Sequence, residues 1–195
     1  MSKYDILVND KTSLLPTKCY YSKKLMKPLS LVIRGAVIHF ISAINILPKD
    51  PFNLDACIQI LAEYGFSYHF LIERSGVLHQ LVPLTYQAFH AGESSLNGIT
   101  QWNSHSVGIC LLGGHPKHFK GADALYPVEQ YYTAGAVLRH LKSNYATFEE
   151  SRITGHENIA GYRGKDDPGP NFKWPLLREV SSGIHGPYKL VGRVA

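Results

Sequence analysis

Cysteine is scarce in this chain: three residues in 195, Cys19, Cys57 and Cys110, widely spaced and without a CxxC pair. An odd, scattered set excludes a disulfide scaffold and points to synthesis in a reducing compartment. Charge is also sparse, at 18% of residues, below the usual quarter. With 45% hydrophobic content, that excludes a disordered chain. No uninterrupted apolar run approaches the ~20 residues of a membrane span. The opening MSKYDILVNDKTSLLPTK lacks a basic segment followed by an apolar core, so no secretory signal is visible. Synthesis in the cytoplasm as a soluble protein, without a membrane span, is expected. Repeats, low-complexity segments and linkers are missing too, which leaves one domain.

What is present is basic and rich in histidine and tyrosine. The formal charge is +5, with 10 His and 12 Tyr, and an anionic partner fits that balance. The basic residues are scattered, however. Their densest cluster, Lys23-Lys24 with Lys27, has no aromatic-basic pattern around it, so nucleic acid is not expected as a partner.

Residues 1 to about 30 read as irregular surface. LVIRGAVIHF (31–40) reads as a buried strand interrupted at Arg34-Gly35, with His39 near its end. LDACIQILAEYG predicts a helix capped by Asn53 or Asp55 and closed by Gly65, with Leu54, Cys57, Ile58 and Leu61 on one face. SYHFLIER (67–74) and VLHQLVP (77–83) form a hairpin signal about Ser75-Gly76. A long loop over 87–105 carries His90 in a HAG tripeptide, and SVGICLLGG (106–114) is again a buried strand. The 127–145 segment predicts a helix with Pro127 in its first turn. RIT (152–154) is a short strand, and WPLLREV (174–180) is a helical turn or two. The fold expected is α/β, a single domain with a central mixed sheet flanked by helices.

The stretch with most chemistry is Thr154–Pro170, TGHENIAGYRGKDDPGP. Its glycines and prolines predict an ordered loop rather than helix or central strand, and ordered loops are where function concentrates. It offers His156, Lys165 and, before a stiff Pro-Gly-Pro, Asp167. A buried His39 at the end of an apolar strand needs a partner. Two imidazoles and a carboxylate make the three-ligand set of a catalytic zinc, but nothing here has the local HExxH spacing that would identify such a site directly. His115, His118, His140 and His185 read as ordinary structural or surface histidines.

Six pieces in register, from about Val32 to Trp174, resemble the type 2 N-acetylmuramoyl-L-alanine amidases, which include phage amidase-type lysozymes and are related to peptidoglycan recognition proteins. They are VIHF, SYHFLIERSG, FHAG, SVGICLLGG, TGHENIA and KDDPGPNFKW. The resemblance implies a zinc ion held in a surface groove by His39, His156 and Asp167, and cleavage of the amide between muramic acid and L-alanine. Some relatives carry a catalytic glutamate where this chain has Cys110, so the likeness is nearer the phage-type branch, in which a strand tyrosine and a loop lysine assist. Tyr68 and Lys165 match those roles, and His90 is expected to contact substrate or shuttle a proton. Glu157 and Asp166 should point away from the metal, and Cys110 reads as core.

The expectation is a monomeric peptidoglycan hydrolase. Residues 31–180 form its catalytic domain, 1–30 an extension packed on it and 181–195 a tail. It would be a lysin or delivered effector that acts on the wall after release. Two alternatives stay open: a binding module that recognises peptidoglycan without cutting it, and a cytosolic enzyme that recycles anhydro-muropeptides.

Overall fold

The computed structural model describes residues 26–28 and 32–183. In chain order the elements are β1 (Met26–Pro28), β2 (Gly35–Ile41), α1 (Leu54–Tyr64), β3 (Phe70–Ile72), β4 (Leu78–Gln80), β5 (Tyr86–Ala88), β6 (Ser95–Leu96) and β7 (Ile99–Thr100), then β8 (Ser106–Leu112), α2 (Val128–Asn144), β9 (Ile153–Gly155), α3 (His156–Ala160) and α4 (Trp174–Ser181). The central sheet has the order β4-β3-β8-β2-β9. It is mixed: β8 lies parallel to both β3 and β2, β9 lies parallel to β2, and β4 closes one edge antiparallel to β3.

Both faces of this sheet are covered, which is why its strands are apolar throughout rather than alternating. Ile38, Phe70, Ile72, Ile109 and Leu111 pack with Tyr131, Val137, Leu138 and Leu141 of α2 and with Leu177 and Val180 of α4. The opposite face carries Ile41, Leu71, Cys110 and Leu112, which meet Cys57, Ile58 and Leu61 of α1. His39 is in phase with Ile41 on this second face and stands directly opposite Cys110 of β8.

Local chemistry sets the helix ends. The Asn53 side chain accepts a 3.0 Å bond from the Ala56 amide, and Gly65 closes α1 at φ 72°, a left-handed conformation that side chains disfavour. Pro127 stands just before α2, as its cap rather than in its first turn. One turn on, the Gln130 amide donates to Ile72 O and Leu112 O, each at 3.0 Å. It thereby satisfies carbonyls at the ends of β3 and β8 that the sheet leaves over.

The structure departs from the sequence reading in four further places. The 31–40 strand begins at Gly35, so Arg34-Gly35 opens it rather than interrupts it. The 67–74 strand contracts to Phe70–Ile72, although Ser67 and His69 still bond through their amides to Phe89 O and Gly108 O, each at 3.0 Å. The 87–105 loop contains β6, β7 and a turn at Trp102–Ser104, and its first residues complete β5, which pairs with β1. That pairing places a strand within the segment read as irregular. Lastly, the Gly- and Pro-rich stretch holds α3. Its five residues HENIA lie between Gly155 and Gly161, so the glycines punctuate the helix instead of preventing it. Residues 1–25, 29–31 and 184–195, with the remaining readings for both termini and His185, lie outside the described residues.

Candidate metal centre

His39, His156 and Asp167 come together on the α1 face of the sheet. Each offers one donor atom, and the three atoms lie within 4.8 Å of one another. The central strand supplies His39, and His156 is the first residue of α3, straight after β9. Asp167 is fixed through its own backbone: its carbonyl accepts from the Glu157 amide at 3.0 Å, and Pro168 O accepts from the Tyr126 hydroxyl at 2.7 Å. The Glu157 carboxylate accepts from the Gly169 amide at 3.3 Å, so it faces away from the cluster. Asp166 is partly exposed and pairs with Lys117 at 2.8 Å.

The hydrogen bonds around the two imidazoles fix their tautomers. His156 Nε2 lies 3.3 Å from Ala91 O. A carbonyl only accepts, so this nitrogen carries the proton and Nδ1 keeps its lone pair. That lone pair faces Asp167 Oδ1 at 3.0 Å. His39 Nε2 lies 3.1 Å from His90 Nδ1, and His90 Nε2 lies 3.3 Å from Ser106 O. Read back from the Ser106 carbonyl, His90 is protonated at Nε2, its Nδ1 accepts, and His39 donates from Nε2. The His39 Nδ1 lone pair then faces Asp167 Oδ2 at 2.8 Å. Two nitrogen lone pairs thus converge on one carboxylate. Acceptors so placed repel each other unless a cation lies among them. A tetrahedral ion with bonds of 2.0–2.1 Å needs donors about 3.3 Å apart; the two imidazoles stand 2.8 and 3.0 Å from the Asp167 oxygens and the whole set lies within 4.8 Å, so small side-chain shifts fit it to a metal ion.

Burial reinforces this picture. Loss of hydration pushes the His39 imidazole down to about 4, against the opposing pull of Asp167, which keeps it neutral and available as a ligand near pH 7. Burial alone would raise Asp167, but the His156 and His39 rings beside it outweigh that and hold the carboxyl in its ionised form, well below its usual range.

The cluster opens into a groove of about 500 Å³, with Phe40, Phe66, Phe89, Arg163 and Lys165 among its walls. Tyr68 and Lys165, both singled out from the sequence, line it. The Tyr68 ring lies 4.8 Å from that of His39 and packs in the same buried cluster as Cys110. Burial first, then Cys110 and Asp167, raise the Tyr68 pKa well above 10, so its hydroxyl keeps its proton. Lys165 Nζ stands 5.9 Å from the Phe66 ring centroid. Cys110 is fully buried among apolar neighbours. His90 also lines the groove, yet both its ring nitrogens are engaged inside the protein. A smaller cavity of about 180 Å³, between α4 and Ile153, holds no comparable donor cluster.

Two residues of the site escaped the sequence reading. Asn103 Oδ1 accepts from the amides of His90 at 2.9 Å and Ala91 at 2.6 Å. Arg163 reaches back to Glu93 O at 2.8 Å. Both hold the HAG loop against the cluster, and neither carries a local signal, because each acts on backbone about ten or more residues away.

A covered mixed sheet with two histidines and an aspartate at the floor of an open groove offers the three-ligand donor set of a mononuclear metal site. The profile of the N-acetylmuramoyl-L-alanine amidase family matches residues 30–170, and the chain belongs to that family. It is 40% identical over 121 residues to the 1,6-anhydro-N-acetylmuramyl-L-alanine amidase AmpD of Salmonella typhimurium (strain SL1344), covering 62% of this chain and 59% of that protein. The chain therefore spans about three fifths of such relatives. Among solved structures, an AmpD crystal structure superposes with a TM-score of 0.67 at 29% identity, covering 89% of this chain and 99% of the other. Escherichia coli AmiD in complex with anhydro-N-acetylmuramic acid-L-Ala-D-gamma-Glu-L-Lys gives 0.61 at 28% identity, covering 76% and 57%. The expected fold class and family are both borne out.

Proposed function

We propose that the protein is a zinc-dependent amidase that hydrolyses the bond between N-acetylmuramic acid and the L-alanine of the stem peptide. One observation carries this reading: two imidazole lone pairs and a carboxylate converge at the floor of a groove, in a chain of the amidase family. Nitrogen and carboxylate donors in a three-ligand set suit zinc. His39 and His156 would bind it through Nδ1 and Asp167 through a carboxylate oxygen. Bound there, zinc would polarise the scissile carbonyl and bring water toward a pKa of ~7.

The chain's own groups supply the rest. Lys165 lines the groove, and its cation would stabilise negative charge on the carbonyl oxygen as the tetrahedral centre forms. Tyr68 keeps its proton, so it serves as a hydrogen-bond donor that orients a reacting oxygen rather than as a base. The walls of Phe40, Phe66 and Phe89 shed water around the bond to be cut.

Both the wall polymer and its soluble fragments carry the bond to be cut. The 40% identity to an enzyme named for 1,6-anhydro-muramyl substrates favours soluble anhydro-muropeptides, and the lysin or effector reading is its rival. Mass spectrometry of products from both substrates, with and without a chelator, tests all three. Stem peptides that begin at L-alanine, lost on chelation and restored by zinc, are expected. Cleavage of the anhydro fragment alone marks a recycling enzyme, and release from intact wall marks a lysin. Binding without products from either would replace the amidase with a recognition module.

A further inference from the structure

His90 is built into the structure with more care than a groove-wall histidine requires. Its amide and that of Ala91 are both held by Asn103 Oδ1. Its ring lies over Gly108, where a Cβ would come within 2.6 Å of the ring, so only glycine leaves it room. The ring is almost wholly buried and joins Ser106 O to His39 Nε2. That chain has one direction. The Ser106 carbonyl can only accept, which forces a proton onto His90 Nε2, frees His90 Nδ1 to accept, and places the proton of His39 on Nε2.

We infer that His90 is a positioning residue that selects the Nδ1-binding tautomer of His39 and holds its ring at the angle the metal requires. The inference rests on the zinc reading above. His156 obtains the same result directly from Ala91 O. His39 Nε2 instead has His90 Nδ1 as its partner, and His90 relays the Ser106 carbonyl to it. Outer partners of this kind set ligand orientation and basicity, and their removal costs roughly 10–100-fold in metal affinity.

The test is zinc affinity, measured by chelator competition on the full chain, together with nitrogen NMR of the histidine rings in the zinc-loaded protein. His90→Phe fills the space without hydrogen bonds and is expected to weaken zinc binding by about 10–100-fold. His90→Asn keeps an acceptor where Nδ1 was and should stay nearer wild type. The wild-type spectra should show His90 and His39 each protonated at Nε2 alone. Wild-type zinc affinity in His90→Phe, or a proton on His90 Nδ1, would overturn the inference and leave the amidase reading intact. Equal weakening in both variants, with a matching loss of thermal stability in the zinc-free protein, would reduce His90 to a packing role. If the wild type binds no zinc, the amidase reading fails and this inference falls with it.

Discussion

His39 Nδ1 and Asp167 Oδ2 face each other at 2.8 Å across 128 residues of sequence, with the imidazole proton committed to the far side of the ring. The pair is arranged to share a cation, and the loss of either partner should be felt first as loss of the metal.

Asp167→Ala is therefore expected to abolish zinc binding and hydrolysis together, while the zinc-free protein still folds. Metal analysis after gel filtration, alongside turnover, checks this. Full activity and a full complement of zinc in that variant would refute the assignment of the site.

Tyr68 and Lys165 should behave differently, because neither belongs to the donor set. Tyr68→Phe and Lys165→Ala are each expected to retain zinc and lose about 10²-fold or more in kcat. Steady-state kinetics at matched zinc content decides the matter, and near-normal turnover in both variants would remove them from the mechanism.

Cys110 stands opposite His39. Its thiol is pushed well above the ordinary range by burial first and then by Asp167, so it stays protonated and is neither a ligand nor a base. Cys110→Ala should leave zinc stoichiometry unchanged and cost about 1 kcal/mol in stability. Denaturant titration and metal analysis would show it.

His69 gives the fold an acid-sensitive element. It is fully buried, accepts from the Gly108 amide at 3.0 Å through Nδ1 and donates to Tyr86 O at 3.0 Å through Nε2. Burial lowers it from 6.5 to about 4. The unfolded chain thus binds a proton more readily than the folded one. The associated stability is complete above pH 6.5 and is lost as pH falls toward 4. About 2 kcal/mol should disappear from the zinc-free protein between pH 7 and pH 5 on this account. Urea titrations across that range should show the slope in wild type and a shallower one in His69→Gln.

Much of this was legible in the chain. Hydrophobic strands at 35–41 and 106–112, the capped helix at 54–64 and the long helix at 128–144 follow from periodicity and end signals, which act over a few residues. The three donors could be named from residue type and from the family's motifs. The relay through His90 could not. It depends on which carbonyl meets which ring nitrogen, and Ser106 and His39 are joined only once β2 and β8 lie side by side. The HENIA helix is hidden in the sequence because the segment around it is rich in glycine and proline, although glycine falls only at the helix boundaries.

The backbone bond between Glu157 and Asp167, with the Glu157 carboxylate on Gly169, has a consequence for how the centre is assembled. It closes a short ring that carries two of the three donors, only 11 residues apart. Closing a loop of that length costs little chain entropy, and the cost grows only slowly with length. The two donors therefore travel as one rigid half. What must be won from long-range folding is a single act of docking, that half against the strand bearing His39.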